Sequence, residues 1–416
     1  MARSPLTLAA AATAALSTAS GPGAEIVGVA PLTEGGAGTF DSALLHLADG
    51  GRLVIRVPQT AEAEAGLSRE VQALTALTAG VRALLGFRAP EVRGHARLGD
   101  GVARVMTYLP GYRVDAAHVP AGRGVATSLA GAIAAVHDLP ASVVQGAGLP
   151  VATAAQVHAE TEALLDRAEA TGRLPFGLLR RWSRALAAEA LWRFEPTVTL
   201  GGVDPSTFTF TDIDGVPTVS GLLDWSGLRV GDPAEDLRWT STAPDAVADV
   251  FRAYAAGTER SPDALLAERA RLHAELEFAK WLIHGHESGS STILDDAVAL
   301  LESLDESVRD EPPLAAGTVT LDDAIAALGR VPATPTDSVD TSMQTDAYDP
   351  GSMDPFDDED EPAQARSASI DQETEPIEFS GWPGMDEAPA PASAEDEDRD
   401  PDDAARNALR RWTGTA

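Results

Sequence analysis

The run from Leu200 to Leu237, LGGVDPSTFTFTDIDGVPTVSGLLDWSGLRVGDPAEDL, limits what this chain can fold into more than any other stretch. Two β-leaning segments, Thr207–Thr211 and Thr218–Leu223, flank Asp212-Ile213-Asp214-Gly215, the composition of a tight hairpin turn. The second segment ends in Asp224-Trp225, which places a carboxylate where an apolar strand emerges. Gly231-Asp232-Pro233 then reads as a turn, and Ala234–Leu237 as the first turn of a helix. A hairpin that delivers an acid to the edge of a cleft is one way to position a magnesium ion for phosphoryl transfer.

At 416 residues the chain has room for two or more domains, but its acids are unevenly spread. Between Val331 and Ala416 there are 23 Asp and Glu against 5 Lys and Arg, so 18 of the 33 net negative charges fall there. This segment is rich in Pro, Ser and Ala and poor in large apolar side chains. Such a composition cannot bury enough surface to offset chain entropy, and it predicts a disordered acidic tail. The remainder is also acidic, which argues against a nucleic-acid-binding surface, since that needs clustered Lys and Arg. Without cysteine there is no disulfide and no thiolate metal site, and the eight histidines show no pair at zinc-helix spacing. The Ala-rich N-terminus superficially resembles a signal peptide, but Thr and Ser interrupt its apolar run, so an amphipathic helix is expected. No later stretch is long and apolar enough for a bilayer, and a cytoplasmic protein with no membrane partner is the default.

Taken in order, a helix and a strand at Glu25–Val29 precede a glycine-rich turn, Thr33–Phe40, that leads into a strand near Ser42–Leu47. Glycine lets backbone N–H groups approach a phosphate, so Gly35, Gly36 and Gly38 are candidate nucleotide contacts; an ordinary hairpin loop has the same composition. The strand Arg52–Pro58, a helix carrying Ser68–Leu74, and a strand Val102–Tyr108 stopped by Leu109-Pro110-Gly111 follow. From Gly122 helical periodicity dominates, at Ser128–His137, Ala154–Ala170, Pro175–Glu189, Asp245–Ala256, Asp263–Gly285 and Ser291–Val308. His137 closes its helix and is expected to hydrogen-bond in the core, with Trp182 and Trp192 as packing anchors.

The organising stretch resembles the catalytic segment of the aminoglycoside and macrolide phosphotransferase family, small-molecule kinases with a protein-kinase-like fold. That family reads His-Gly-Asp-Leu-x-x-x-Asn, a hairpin, Ile-Asp-Trp, then Gly-Asp-Pro-x-x-Asp-Leu. Leu223-Asp224-Trp225, Gly231-Asp232-Pro233 and Asp236-Leu237 match the second half. In the first half Leu200 stands at the place of the His, Gly202 at that of the catalytic Asp and Thr207 at that of the Asn. The likeness runs over most of residues 20–308 and implies an α+β, two-lobed kinase-like fold. A small antiparallel-sheet N-lobe would span 1–110, a mostly helical C-lobe 111–312, and the acidic tail 313–416. ATP or GTP with magnesium is the implied cofactor, and Leu109-Pro110-Gly111 corresponds to the hinge beside the base. Arg56 and Glu70 fall at the places of the strand cation, often Lys, and its helix Glu, which orient the phosphates. Asp224 falls at that of a magnesium ligand, with Thr207 offering a neutral oxygen beside it.

Gly202 has no side chain with which to take up the proton of an acceptor hydroxyl. Asp204, two residues on and able to share a side of an extended loop, is the substitute candidate, although Asp204-Pro205 is also an ordinary turn opener. Loss at three places of one motif favours an impaired, pseudokinase-like protein that binds nucleotide and acts by binding or scaffolding. The alternative is an active kinase for a small hydroxylated compound such as a macrolide or aminoglycoside, with Asp204 as base. Asp232 and Asp236 are expected to be structural, the one bonding loop backbone and the other capping or bracing a helix. In the tail, short helices at Leu321–Leu328 and Asp402–Thr413, Thr374 among its acids and an unidentified protein partner are the readings available.

Overall fold

The computed structural model describes residues 3–19, 25–32, 39–99, 101–260 and 263–314. Gly35, Gly36 and Gly38, the two tail helices, Thr374 and everything from 315 to 416 lie outside them. Helix α1 (Pro5–Ala19) leads into strands β1 (Ile26–Pro31), β2 (Phe40–Leu47) and β3 (Arg52–Pro58). After α2 (Ala61–Ala76) and the short α3 (Ala79–Leu84), strands β4 (Val92–Leu98) and β5 (Gly101–Thr107) complete an antiparallel five-stranded sheet in the order β1-β2-β3-β5-β4. Strand alternation sorts the side chains of β3. Leu53, Ile55 and Val57 join Leu45, Ala103 and Val105 in a buried layer, and Leu8, Ala12 and Leu16 of α1 close it. Val54 and Arg56 therefore point from the opposite face.

The second part is mostly helical: α4 (Val125–His137), α5 (Ala141–Gly146), α6 (Ala154–Ala170), α7 (Phe176–Ala187), and later α8 (Val247–Gly257), α9 (Leu266–Glu287) and α10 (Ser291–Ser307). Between α7 and α8 lie β6 (Thr197–Thr199), the hairpin β7 (Phe208–Ile213) and β8 (Val216–Leu222), and β9 (Arg229–Gly231), which pairs with β6. Asp214 and Gly215 have φ of 52° and 74°, the positive pair that a two-residue type I′ turn needs. The hairpin stands on α4. Phe208, Phe210, Leu222 and Trp225 are packed with Leu129 and Ile133, and the Val219 N–H donates to Ser128 Oγ at 2.7 Å. Trp182 and Trp192 anchor a separate core shared by α6, α7, α9 and α10. The helical turn expected at Ala234–Leu237 is a longer 3₁₀ segment, Pro233–Thr242, opened by the Asp232 side chain. No helix among the described residues is long and apolar enough to cross a membrane.

Candidate functional site

The free face of β3 looks into a cavity of about 570 Å³, a size ordinary for a small-molecule site. Val54, Arg56 and Met106 line it from the sheet, Leu109 and Gly111 from the connection after β5, and Thr207, Leu223 and Asp224 from beside the hairpin. Gly111, at φ +138°, lets that connection press onto β7; the Tyr112 and Phe210 N–H groups donate to each other's carbonyls at 3.0 and 2.8 Å. A Cβ on Gly111 would stand 2.6 Å from the Phe210 carbonyl oxygen, so glycine is required there.

Arg56 and Glu70 meet as the resemblance implies. Arg56 Nη1 donates to Glu70 Oε2 at 2.6 Å, and the guanidinium lies 4.2 Å from the Phe40 ring centroid. Glu70 is 2% exposed, and its Oε1 is buried with no hydrogen-bond partner. Burial drives its pKa up, Arg56 opposes this and Asp224 adds to the rise, leaving the carboxyl at about 7. Asp224 Oδ1 accepts from the Ser226 N–H at 2.8 Å, and the Thr207 hydroxyl donates to the Asp204 carbonyl at 2.6 Å, which leaves its lone pairs. Among the described residues no three acidic or His side chains form a ready-made metal cage. Magnesium commonly takes one or two carboxylates and completes its shell with phosphate oxygens and water. Asp224, the orphaned Glu70 oxygen and Arg56 thus fit a magnesium nucleotide better than a bare ion.

The loop after β6 is held from behind. Gly201 and Gly202 have φ of 71° and 91°. Asp236, fully buried on the 3₁₀ segment, accepts from the Leu200 N–H through Oδ2 and the Gly202 N–H through Oδ1, each at 2.6 Å. His137 closes the clamp, with Nε2 3.0 Å from Asp236 Oδ2 and Nδ1 2.7 Å from the Tyr254 hydroxyl. Burial alone would raise the Asp236 pKa; the hydrogen bond and charge of His137 and the two N–H groups hold it below the usual range. Asp236 therefore braces this loop and the end of α4, where a helix cap had been the other expectation. Asp232 bonds the Ala234 N–H at 2.9 Å and is buried with Arg269 at 2.9 Å and His273 at 3.0 Å. Against burial, these partners keep its pKa at about 2.

The space in front of Gly202 is occupied. An ideal Cβ there would lie 1.3 Å from Arg238 Nη1 and 2.3 Å from Cζ. A guanidinium thus fills the volume into which a side chain at 202 would project. Its ion-pair partner, Glu277, is 3.7 Å away and is bonded to Lys280 at 2.6 Å. The sequence reveals the missing acid but not this cation, because Arg238 lies just beyond the organising stretch and nothing in its spacing pairs it with position 202. Asp204 is exposed; its Oδ1 accepts the Ser206 N–H at 2.7 Å and caps the turn Pro205–Thr207.

Comparison with known proteins bears on this geometry. The profile of the phosphotransferase enzyme family matches residues 34–273, more than half of the sequence. This chain belongs to that family. It is 30% identical over 221 residues to viomycin phosphotransferase of Streptomyces vinaceus, an overlap of 49% of this chain and 72% of that protein. A macrolide 2′-phosphotransferase from Brachybacterium faecium superimposes with a TM-score of 0.57 at 23% identity, over 71% of this chain and 97% of its own. The GDP complex of aminoglycoside 2′-phosphotransferase-IIIa gives a TM-score of 0.57 at 18% identity, over 73% and 99%. At these identities the two structures speak for the fold: a two-lobed kinase-like arrangement with a five-stranded antiparallel N-lobe and a helical C-lobe.

Proposed function

We propose that this protein binds ATP or GTP with magnesium between Arg56, Glu70 and Asp224, lacks effective phosphoryl transfer, and acts by binding or scaffolding. With the lobes taken to divide near Gly111, the nucleotide base would lie beside Leu109-Pro110-Gly111, two of whose residues line the cavity. The observation that carries the reading is at Gly202, where the family's proton acceptor is absent and a permanent cation fills its volume. A positioned general base contributes about 10²–10⁴-fold to rate, and a guanidinium has no capacity to accept a proton. The nucleotide side keeps its parts: a paired strand cation, an acid at the hairpin end and a buried oxygen without a partner.

The enzyme reading, a kinase for a small hydroxylated acceptor with Asp204 as base, needs that exposed carboxylate to give up its cap on the Ser206 N–H. Isothermal titration of the full chain with magnesium ATP and magnesium GTP tests the nucleotide half of the proposal. Saturable binding of one of them is expected, weakened at least tenfold by Asp224→Asn and by Arg56→Gln, since charge-assisted contacts are the strong ones. Absence of binding, or affinity untouched by both substitutions, contradicts it.

A further inference from the structure

A guanidinium with no close hydrogen-bond acceptor stands in front of Gly202. The Arg238 side chain is 23% exposed, and among the described residues its guanidinium has no hydrogen-bond acceptor, just the loose 3.7 Å pairing with Glu277. Glu277 is the carboxylate shared there by Arg238 and Lys280, with His273 adding to the positive field around it.

We infer that the acceptor side of the cleft binds an oxyanion group, a carboxylate or phosphate ester on a small molecule, with Arg238 as the recognising cation. The inference rests on reading Gly202 as the place of a missing proton acceptor. An ionised acid there would draw in a cationic or hydroxylic acceptor; glycine with Arg238 above it reverses the charge at that spot by two units. The planar guanidinium fork matches a carboxylate or phosphate with two parallel hydrogen bonds, and a partly buried one is screened less by solvent. Gly202 is what makes the placement sterically feasible, because any Cβ would collide with the guanidinium. The two residues therefore form one device, an anion site built where an acid is missing.

The test uses the full chain and two probes, inorganic phosphate and benzoate, titrated at constant ionic strength against chloride and followed by tryptophan fluorescence. Arg56→Gln removes phosphate binding at the nucleotide side. In that variant at least one probe is expected to bind saturably, and adding Arg238→Gln is expected to weaken it at least tenfold. Arg238→Lys, which keeps the charge and loses the fork, is expected to fall between and also serves if the Gln variant does not fold. Phosphate binding alone identifies a phosphate ester as the ligand class; benzoate binding alone identifies a carboxylate. No saturable binding of either probe, or binding indifferent to both Arg238 substitutions, overturns the inference. Magnesium nucleotide affinity is measured on wild type and Arg238→Gln alongside. Its absence with the anion site intact would sink the proposed function and leave this site standing.

Discussion

At Gly202 a backbone φ of +91° strains any side chain, and the Arg238 guanidinium in front of it would have to move aside to admit one. Restoring an acid by Gly202→Asp therefore costs about 1–3 kcal/mol for the strained backbone, while the displaced guanidinium is able to pair with the new carboxylate. In an Arg238→Ala background only the backbone part remains, so a double-mutant cycle in urea should show a coupling of about 1 kcal/mol or more. Strictly additive losses would mean that the guanidinium does not occupy the place described. Behind the loop, Asp236→Ala leaves His137 and the Leu200 and Gly202 N–H groups without their acceptor. Removing one member of such a buried network costs about 3–5 kcal/mol, readable as a shift in the urea midpoint at unchanged slope. The family resemblance is what singled out Arg56, Glu70 and Asp224 in the sequence, and the fold brings the three to one cavity with Arg56 bonded to Glu70. Arg56 in a Lys position is a weak departure, since Lys280 is the single lysine of the whole sequence. Arg238 was not legible; a long flexible side chain reaching back across a fold leaves no periodic signal.

Elements position these residues through a few close approaches. The hinge lies on the hairpin because Gly111 admits the Phe210 carbonyl, and this backbone pairing fixes the cavity wall opposite the sheet. Gly111→Ala should break it, lowering stability by about 1–3 kcal/mol or more and weakening magnesium nucleotide binding in the same calorimetric titration. A variant that is destabilised but binds normally would detach the hinge from the site. The organising hairpin and the large helices could be read from sequence, with Ala154–Ala170 found where its periodicity places it. Five elements were not: the short helices α3 and α5 and the strands β4, β6 and β9. β4 alternates Val92, Gly94, Ala96 and Leu98 with Arg93, His95 and Arg97, and its inward side chains are too small to register as a strand. β6 and β9, three residues each, exist through pairing with one another across the hairpin insertion, a long-range contact that local sequence does not encode.

For the whole molecule, buried carboxylates set how the fold responds to acid. Asp232 is held at about 2 in the folded chain, below its unfolded value of about 4. The folded state therefore binds this proton more weakly than the unfolded chain. The stabilisation is full above about pH 4 and is lost as pH falls toward 2, on the order of 2 kcal/mol for this one group. Asp236 shifts in the same direction and adds to the loss. Urea midpoints should accordingly drop between pH 4 and about 2, and Asp232→Asn should flatten that drop while lowering stability at neutral pH. A scaffold kept by such internal networks is independent of whether the cleft still turns over. The measurement that decides this is transfer of labelled phosphate from ATP or GTP to macrolide and aminoglycoside acceptors, run on the full chain and on Asp204→Asn. The account predicts nucleotide binding with transfer at the uncatalysed level in both proteins. Transfer by the wild-type chain that Asp204→Asn abolishes would contradict it.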